Sequence, residues 1–87
     1  MSIKKLHYLV NDFMMEWDQD SQELGELILE TPEADLPQHK EGIMNALTDI
    51  MVIAIQQYQE DLEIDRDSAD NDTVITCAEV IAWANQL

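Results

Sequence analysis

The chain has 87 residues, 46% of them hydrophobic, and its 19 Asp and Glu against 4 Lys and Arg give a formal charge of −15. That is enough apolar material for one folded domain, residues 1–87, and too much for a disordered acidic tail; with two Gly and two Pro there is little room for a loop-rich β fold. A surface this anionic excludes direct binding to DNA or RNA, whose phosphates need Lys and Arg, and disfavours anionic membranes.

Ile3, Leu6, Val10, Phe13 and Trp17 recur at steps of three and four, with Leu9 and Met14 beside them, which predicts an amphipathic first helix with Ser2 as its N-cap. The run is broken by His7, Asn11 and Asp12, so the start is not expected to act as a secretory signal. Between Asp18 and Ser21 the residues favour caps over helix interiors, so a break is expected there. Asp20 would cap a second helix and Glu23 would complete a capping box; a single long helix with a polar patch is the other reading. Leu24, Leu27 and Ile28 carry the apolar stripe onward.

Thr31, Pro32, Glu33 and Ala34 form another helix-start pattern, with proline at the first helical position. Pro37 follows closely and limits that helix to one turn. From Pro37 to Ile64 the chain is at its most apolar: Ile43, Leu47, Ile50, Met51, Ala54, Ile55, Tyr58 and Leu62 line a broad face, which Val52 and Ile53 widen until little is left for solvent. Such a helix would be about 42 Å long, long enough that a kink at Gly42 or packing against a second copy is expected. The uncharged run Ile50–Gln59 is about half of what a bilayer requires. A polar connector, residues 65–72, leads to a last helix capped by Ser68 or a neighbouring Asp, with Val74, Cys77, Ala78, Ile81 and Ala84 inward. The expected fold is all-α, a small bundle of three to four helices around a neutral, strongly apolar central helix.

Catalytic and metal chemistry finds little support. Asp65 and Asp67 begin like a calcium loop, but the positions that should hold an oxygen ligand, a glycine and a bidentate glutamate hold Ala69, Asp70 and Thr76. No metal and no cofactor is expected. His7 and His39 stand apart from any two-ligand spacing, and no phosphate-binding glycine loop or nucleophile elbow occurs. Cys77, on the apolar side of the last helix, reads as a packed thiol, and Met14, Met15, Met44 and Met51 read as gap-filling core. With no partner for a disulfide, Cys77 points to a reducing, cytoplasmic setting. The chain is not expected to be an enzyme.

The acids are unevenly placed. Nine lie between Asp12 and Asp35, seven between Glu60 and Asp72, and the stretch between holds only Lys40, Glu41 and Asp49. Solubility is ordinarily served by mixed signs, and the basic half is missing. Asp12, Glu16 and Asp20 follow at four-residue steps, and Glu26 and Glu30 repeat that step just after Glu23. On a helix such steps place carboxylates about 6 Å apart, a row on the scale of a phosphate backbone. A second row, Glu60, Glu63, Asp67 and Asp70, would imitate a second strand by lying alongside. Asp18 joins the first group, and Trp17, flanked by acids, is the expected aromatic anchor.

In size, charge and helical content the chain resembles the small acidic phage proteins that block restriction or CRISPR machinery by imitating DNA. The resemblance implies a non-enzymatic inhibitor seated on the basic nucleic-acid-binding surface of a protein or nuclease, in the host cytoplasm if phage-encoded. Small helical immunity proteins and antitoxins that neutralise basic nuclease toxins are similar in size and charge, although the tyrosine-rich segment of the DNase-inhibiting group is missing. A third reading is an acidic assembly protein dimerising through the central helix around Val52 and Ile53.

Overall fold

The computed structural model describes residues 2–87, with side chains from Ile3 onward. The expected capping by the Ser2 hydroxyl lies outside the described side chains. Four α-helices follow in order: α1 (Ser2–Phe13), α2 (Gln19–Glu30), α3 (Lys40–Ile64) and α4 (Asp72–Ala84). Two 3-10 segments, Met14–Glu16 and Glu33–His39, join the first three, and no strand occurs among the described residues.

The break after α1 forms, but three to four residues earlier than the sequence suggests. The helix tightens at Met14–Glu16, and the Trp17 amide donates to the Met14 carbonyl at 3.3 Å. Asp18, not Asp20, then caps α2: its Oδ1 accepts the Ser21 amide at 2.9 Å, satisfying one of the free donors of the first turn. Glu23 is therefore not part of a capping box. Helix α2 stops where proline requires it to stop. Pro32 holds Thr31 extended, at φ −79° and ψ 127°, while the Thr31 amide and hydroxyl both return to the Leu27 carbonyl.

Pro32 itself is extended and precedes the second 3-10 segment, so it flanks the segment instead of opening it. This segment runs seven residues, through Pro37, more than the single turn expected. The 3-10 geometry accommodates a residue with no amide hydrogen at that point, and wholly buried Leu36 ties the segment to the core. Helix α3 begins at Lys40 and runs 25 residues without interruption at Gly42. Helix α4 begins at Asp72, where the Asp70 side chain accepts the Asp72 amide. Ser68 does not cap it; its hydroxyl donates to Asp65.

Leu6, Leu9, Val10, Met14, Ile28, Leu36, Ile43, Leu47, Ile50, Cys77 and Val80 are fully buried. Each such aliphatic side chain contributes roughly 1.5–3 kcal/mol on leaving water. Met14 is buried and Met44 and Met51 pack against the core, as gap-fillers do; Trp17 and Trp83, half-buried, also pack there. On α4 the inward set is Cys77, Val80 and Ala84, and Ala78 is exposed.

Helices α3 and α4 form an antiparallel pair whose register two contacts define. The Cys77 thiol donates to the Leu47 carbonyl at 3.4 Å, and the Lys40 ammonium donates to the Asn85 carbonyl at 2.8 Å. Counting back from Cys77, Asp72, where α4 begins, falls opposite about Val52. With 13 residues against 25, α4 covers only the first half of α3. The second half projects past it, followed by the connector.

This register overturns the expectation that the central helix is covered throughout. Val52 is 51% and Ile55 39% exposed, Tyr58 and Leu62 are half-buried, and no residue after Ala54 in α3 is buried. At about 37 Å α3 spans most of the longest dimension of a thin molecule, 42 × 27 × 17 Å. Among the described residues no helix is long and apolar enough to cross a membrane.

Candidate functional site

All nineteen carboxylates of the chain are exposed. Among the described residues the only ion pair is Lys5 with Glu79. Lys40 is engaged at the carboxyl end of α4, where a cation offsets the helix dipole. The acids are therefore neither neutralised internally nor gathered for a metal: among the described residues no three metal-ligating side chains converge.

The helix break changes the first predicted row. Asp12 lies in the last turn of α1, Glu16 in the 3-10 segment, and Asp20 in the first turn of α2, so they do not share one helix. The strip on α2 does form. At about 100° per residue, Glu23, Glu26 and Glu30 fall within about 60° of one another, opposite buried Gly25 and Ile28. In the second row Glu60 and Glu63 are helical, whereas Asp67 and Asp70 belong to the connector.

Nor do the helical parts of the two rows, on α2 and α3, lie side by side. A methyl group on Gly42 would meet Leu24 at 3.6 Å, and Trp17, Asp18 and Ser21 share a groove with Asp49, Val52 and Ile53. Helix α2 is thus antiparallel to α3 and lies over residues 42–53 of it. By the helical repeat Gly42, Asp49, Ile53, Gln56, Glu60 and Glu63 share one face of α3. Where α2 begins, that face becomes free, and the acids continue along it. The rows follow one another: Glu30, Glu26, Glu23, Asp20 and Asp18, then Asp49, then Glu60 and Glu63.

The connector joins the same end of the molecule and is ordered by its own carboxylates. Asp65 accepts the Asp67 amide at 3.1 Å and the Ser68 hydroxyl at 2.8 Å, and Asp70 accepts the Asp72 amide at 2.8 Å. Tyr8 feels the charges of both Asp12 and Asp70. Hydrogen bonding to Asp12 and the Asp12 charge raise the Tyr8 phenol above its ordinary range, and the Asp70 charge adds to this. The ends of α1 and α3 and the starts of α2 and α4 therefore concentrate acid at one pole, with Arg66 the one Lys or Arg there among the described residues. Lys4, Lys5 and Lys40 lie toward the other.

Helix dipoles reward only part of this. Asp18, Asp20, Asp70 and Asp72 sit at the starts of helices, where negative charge is favourable. The Asp18 carboxyl is held below the usual carboxylate range, chiefly by the Ser21 amide and then by the Ser21 hydroxyl. Glu60, Asp61 and Glu63 sit at the end of α3, with no basic residue in its last turn, where negative charge is unfavourable.

The groove is the feature the sequence did not reveal in full. It has a volume of about 420 Å³ and is open to solvent, with half-buried Trp17 and exposed Val52 on its walls. Trp17 and Asp18 were legible as candidates; Asp49 and Ser21 were not. The one signal available was the pair Val52 and Ile53, apolar beyond what the stripe of α3 needs. Of the groups considered for chemistry, Cys77 is fully buried and its thiol is pushed up to about 11 by burial. His39 closes the second 3-10 segment, and His7 is half-buried, its Nε2 unpartnered among the described residues. Comparison with family models, with curated proteins and with solved structures finds no match.

Proposed function

We infer that the protein is a non-enzymatic inhibitor that occupies the basic nucleic-acid-binding surface of another protein, presenting carboxylates in place of phosphates. The observation that carries this reading is the unneutralised track of exposed acids carried on helices. From Asp18 to Glu30, five carboxylates stand on or cap one helix of about 18 Å, one for about every 4 Å. A single DNA strand presents one charge per roughly 3.4 Å of its axis. Glu60, Glu63 and the connector extend the track beyond α2.

Like charges at these spacings cost a few tenths of a kcal/mol each, and those at the end of α3 oppose its dipole as well. A sequence serving solubility alone would place lysines among them. The size, charge and helical content are those of phage-type DNA mimics acting against a host nuclease or a CRISPR or restriction complex. The track is now a single file along the molecule, not a pair of strands.

A second reading, an immunity protein or antitoxin for a basic nuclease toxin, draws support from the Trp17 groove, since such proteins rely on an aromatic-centred patch. Affinity capture from lysate at low salt, with elution by salt steps and by duplex DNA, tests the first reading. It predicts a nuclease or DNA-binding complex that DNA displaces. Capture of only assorted basic proteins, indifferent to DNA, would contradict it. Trp17→Ala abolishing capture while reversal of Glu23, Glu26 and Glu30 leaves it intact would favour the immunity reading.

A further inference from the structure

Resting on that basic-partner reading, we propose that the groove between the start of α2 and the middle of α3 receives one arginine side chain of the partner, its guanidinium on the Trp17 indole and between the carboxylates of Asp18 and Asp49. The lining supplies each element of arginine recognition. Trp17 offers an aromatic face, on which a guanidinium stacks well. Val52 and Ile53 offer apolar surface to the aliphatic stem. Asp18, at the start of α2, and Asp49, on α3, offer acceptors to a donor fork that a point-like ammonium cannot span as well.

Among the described residues no cation is paired with an acid of this groove: Lys5 pairs with Glu79, and Lys40 donates to the Asn85 carbonyl. The receptor is also held in shape before anything binds. The Trp17 amide donates to Met14, its carbonyl accepts from the Gln22 side chain at 2.8 Å, and Asp18 is fixed by the Ser21 amide. Asp49, Val52 and Ile53 stand at neighbouring positions on one continuous helix. Little ordering remains to be done on binding, which favours affinity from a small contact.

The test is a titration of isotope-labelled protein with acetyl-Gly-Arg-Gly-amide and with its neutral citrulline counterpart, followed by NMR. The arginine peptide is expected to shift the Trp17 indole N–H and the Val52 and Ile53 methyl signals to saturation, with the Trp83 indole unmoved. Citrulline should bind about tenfold more weakly, having lost the cation. Asp49→Asn, an exposed change that leaves the core alone, should weaken the arginine peptide by about two- to fivefold, as exposed ion pairs do, and Glu26→Gln should not. Shifts spread evenly over the α2 strip and connector and indifferent to Asp49→Asn would overturn the groove, showing the peptide to be a counter-ion only, and would leave the basic-partner reading standing. Absence of any shift would overturn the groove equally, whatever the capture experiment returns.

Discussion

In the first half of α3, from Lys40 to Ala54, five residues are buried; in the second, from Ile55 to Ile64, none is. The two halves are one unbroken helix; nine of fifteen residues are apolar in the first and four of ten in the second, and α4 is long enough to cover only the first. The covered half has Ile43, Leu47 and Ile50 at the centre of the core and carries two acids, Glu41 and Asp49. The projecting half ends in Glu60, Asp61 and Glu63 and leads into a connector with four more acids through Asp72. Stability and charge are thus kept in different parts of the molecule. The core is left undisturbed by a surface that repels itself, and the charged pole stands where a partner reaches it from several sides.

The largest test of this contrast is a pair of leucines. Leu47→Ala, in the covered half, should cost about 2–5 kcal/mol of unfolding free energy. Leu62→Ala, half-buried in the projection, should cost less than about 1 kcal/mol. Urea unfolding of the two variants measures both, and equal losses would mean that the projection is part of the core.

A smaller effect comes from Cys77, which sits against the covered half. Its folded pKa lies above the unfolded one, from 9.0 to about 11, so the unfolded thiol loses its proton first. Stability should therefore be fully present below pH 9 and decline between pH 9 and about 11, with a slope that approaches about 1.4 kcal/mol per pH unit. Subtracting the profile of Cys77→Ala isolates this from Tyr8, which declines in the same direction. No difference between the two profiles would show that the thiol ionises freely in the fold.

The two glycines separate tight from loose packing on a finer scale. A methyl on Gly42 meets only Leu24 at an ordinary 3.6 Å, so Gly42→Ala should stabilise by about 0.5–1 kcal/mol through helix propensity. At Gly25 the methyl would lie 3.1 Å from both the Met15 sulfur and Val10 Cγ1. Met15 can yield, but Val10 is buried and β-branched, so Gly25→Ala should destabilise by roughly 1 kcal/mol. Thermal melts of both should move in opposite directions.

The contrast between halves also marks what could be read before the fold was known. The helical class and the neutral centre follow from the 3.6-residue repeat of Ile43, Leu47, Ile50 and Ala54. The register of α4 on α3 does not follow, because Ile55, Tyr58 and Leu62 continue the apolar face of α3 past Ala54 and nothing in Val74, Cys77, Val80 and Ile81 says where along that face they stop. That register decides whether Val52 and Ile55 are core or surface. The choice of Asp18 over Asp20 as cap was hidden for a related reason: both are good caps, and Trp17 packing against the core selects between them. Asp49 escaped notice because its partners in the groove lie about thirty residues away in the sequence.

The central claim joins charge to function at a cost in stability, and one set of substitutions measures both. Glu60→Gln, Asp61→Asn and Glu63→Gln together remove three charges opposed to the α3 dipole. Each substitution should add up to about 0.3–1 kcal/mol to the unfolding free energy at low salt, and together they should abolish DNA-displaceable capture. A triple variant that is no more stable than the parent, or one that still holds its partner as firmly, would contradict that claim.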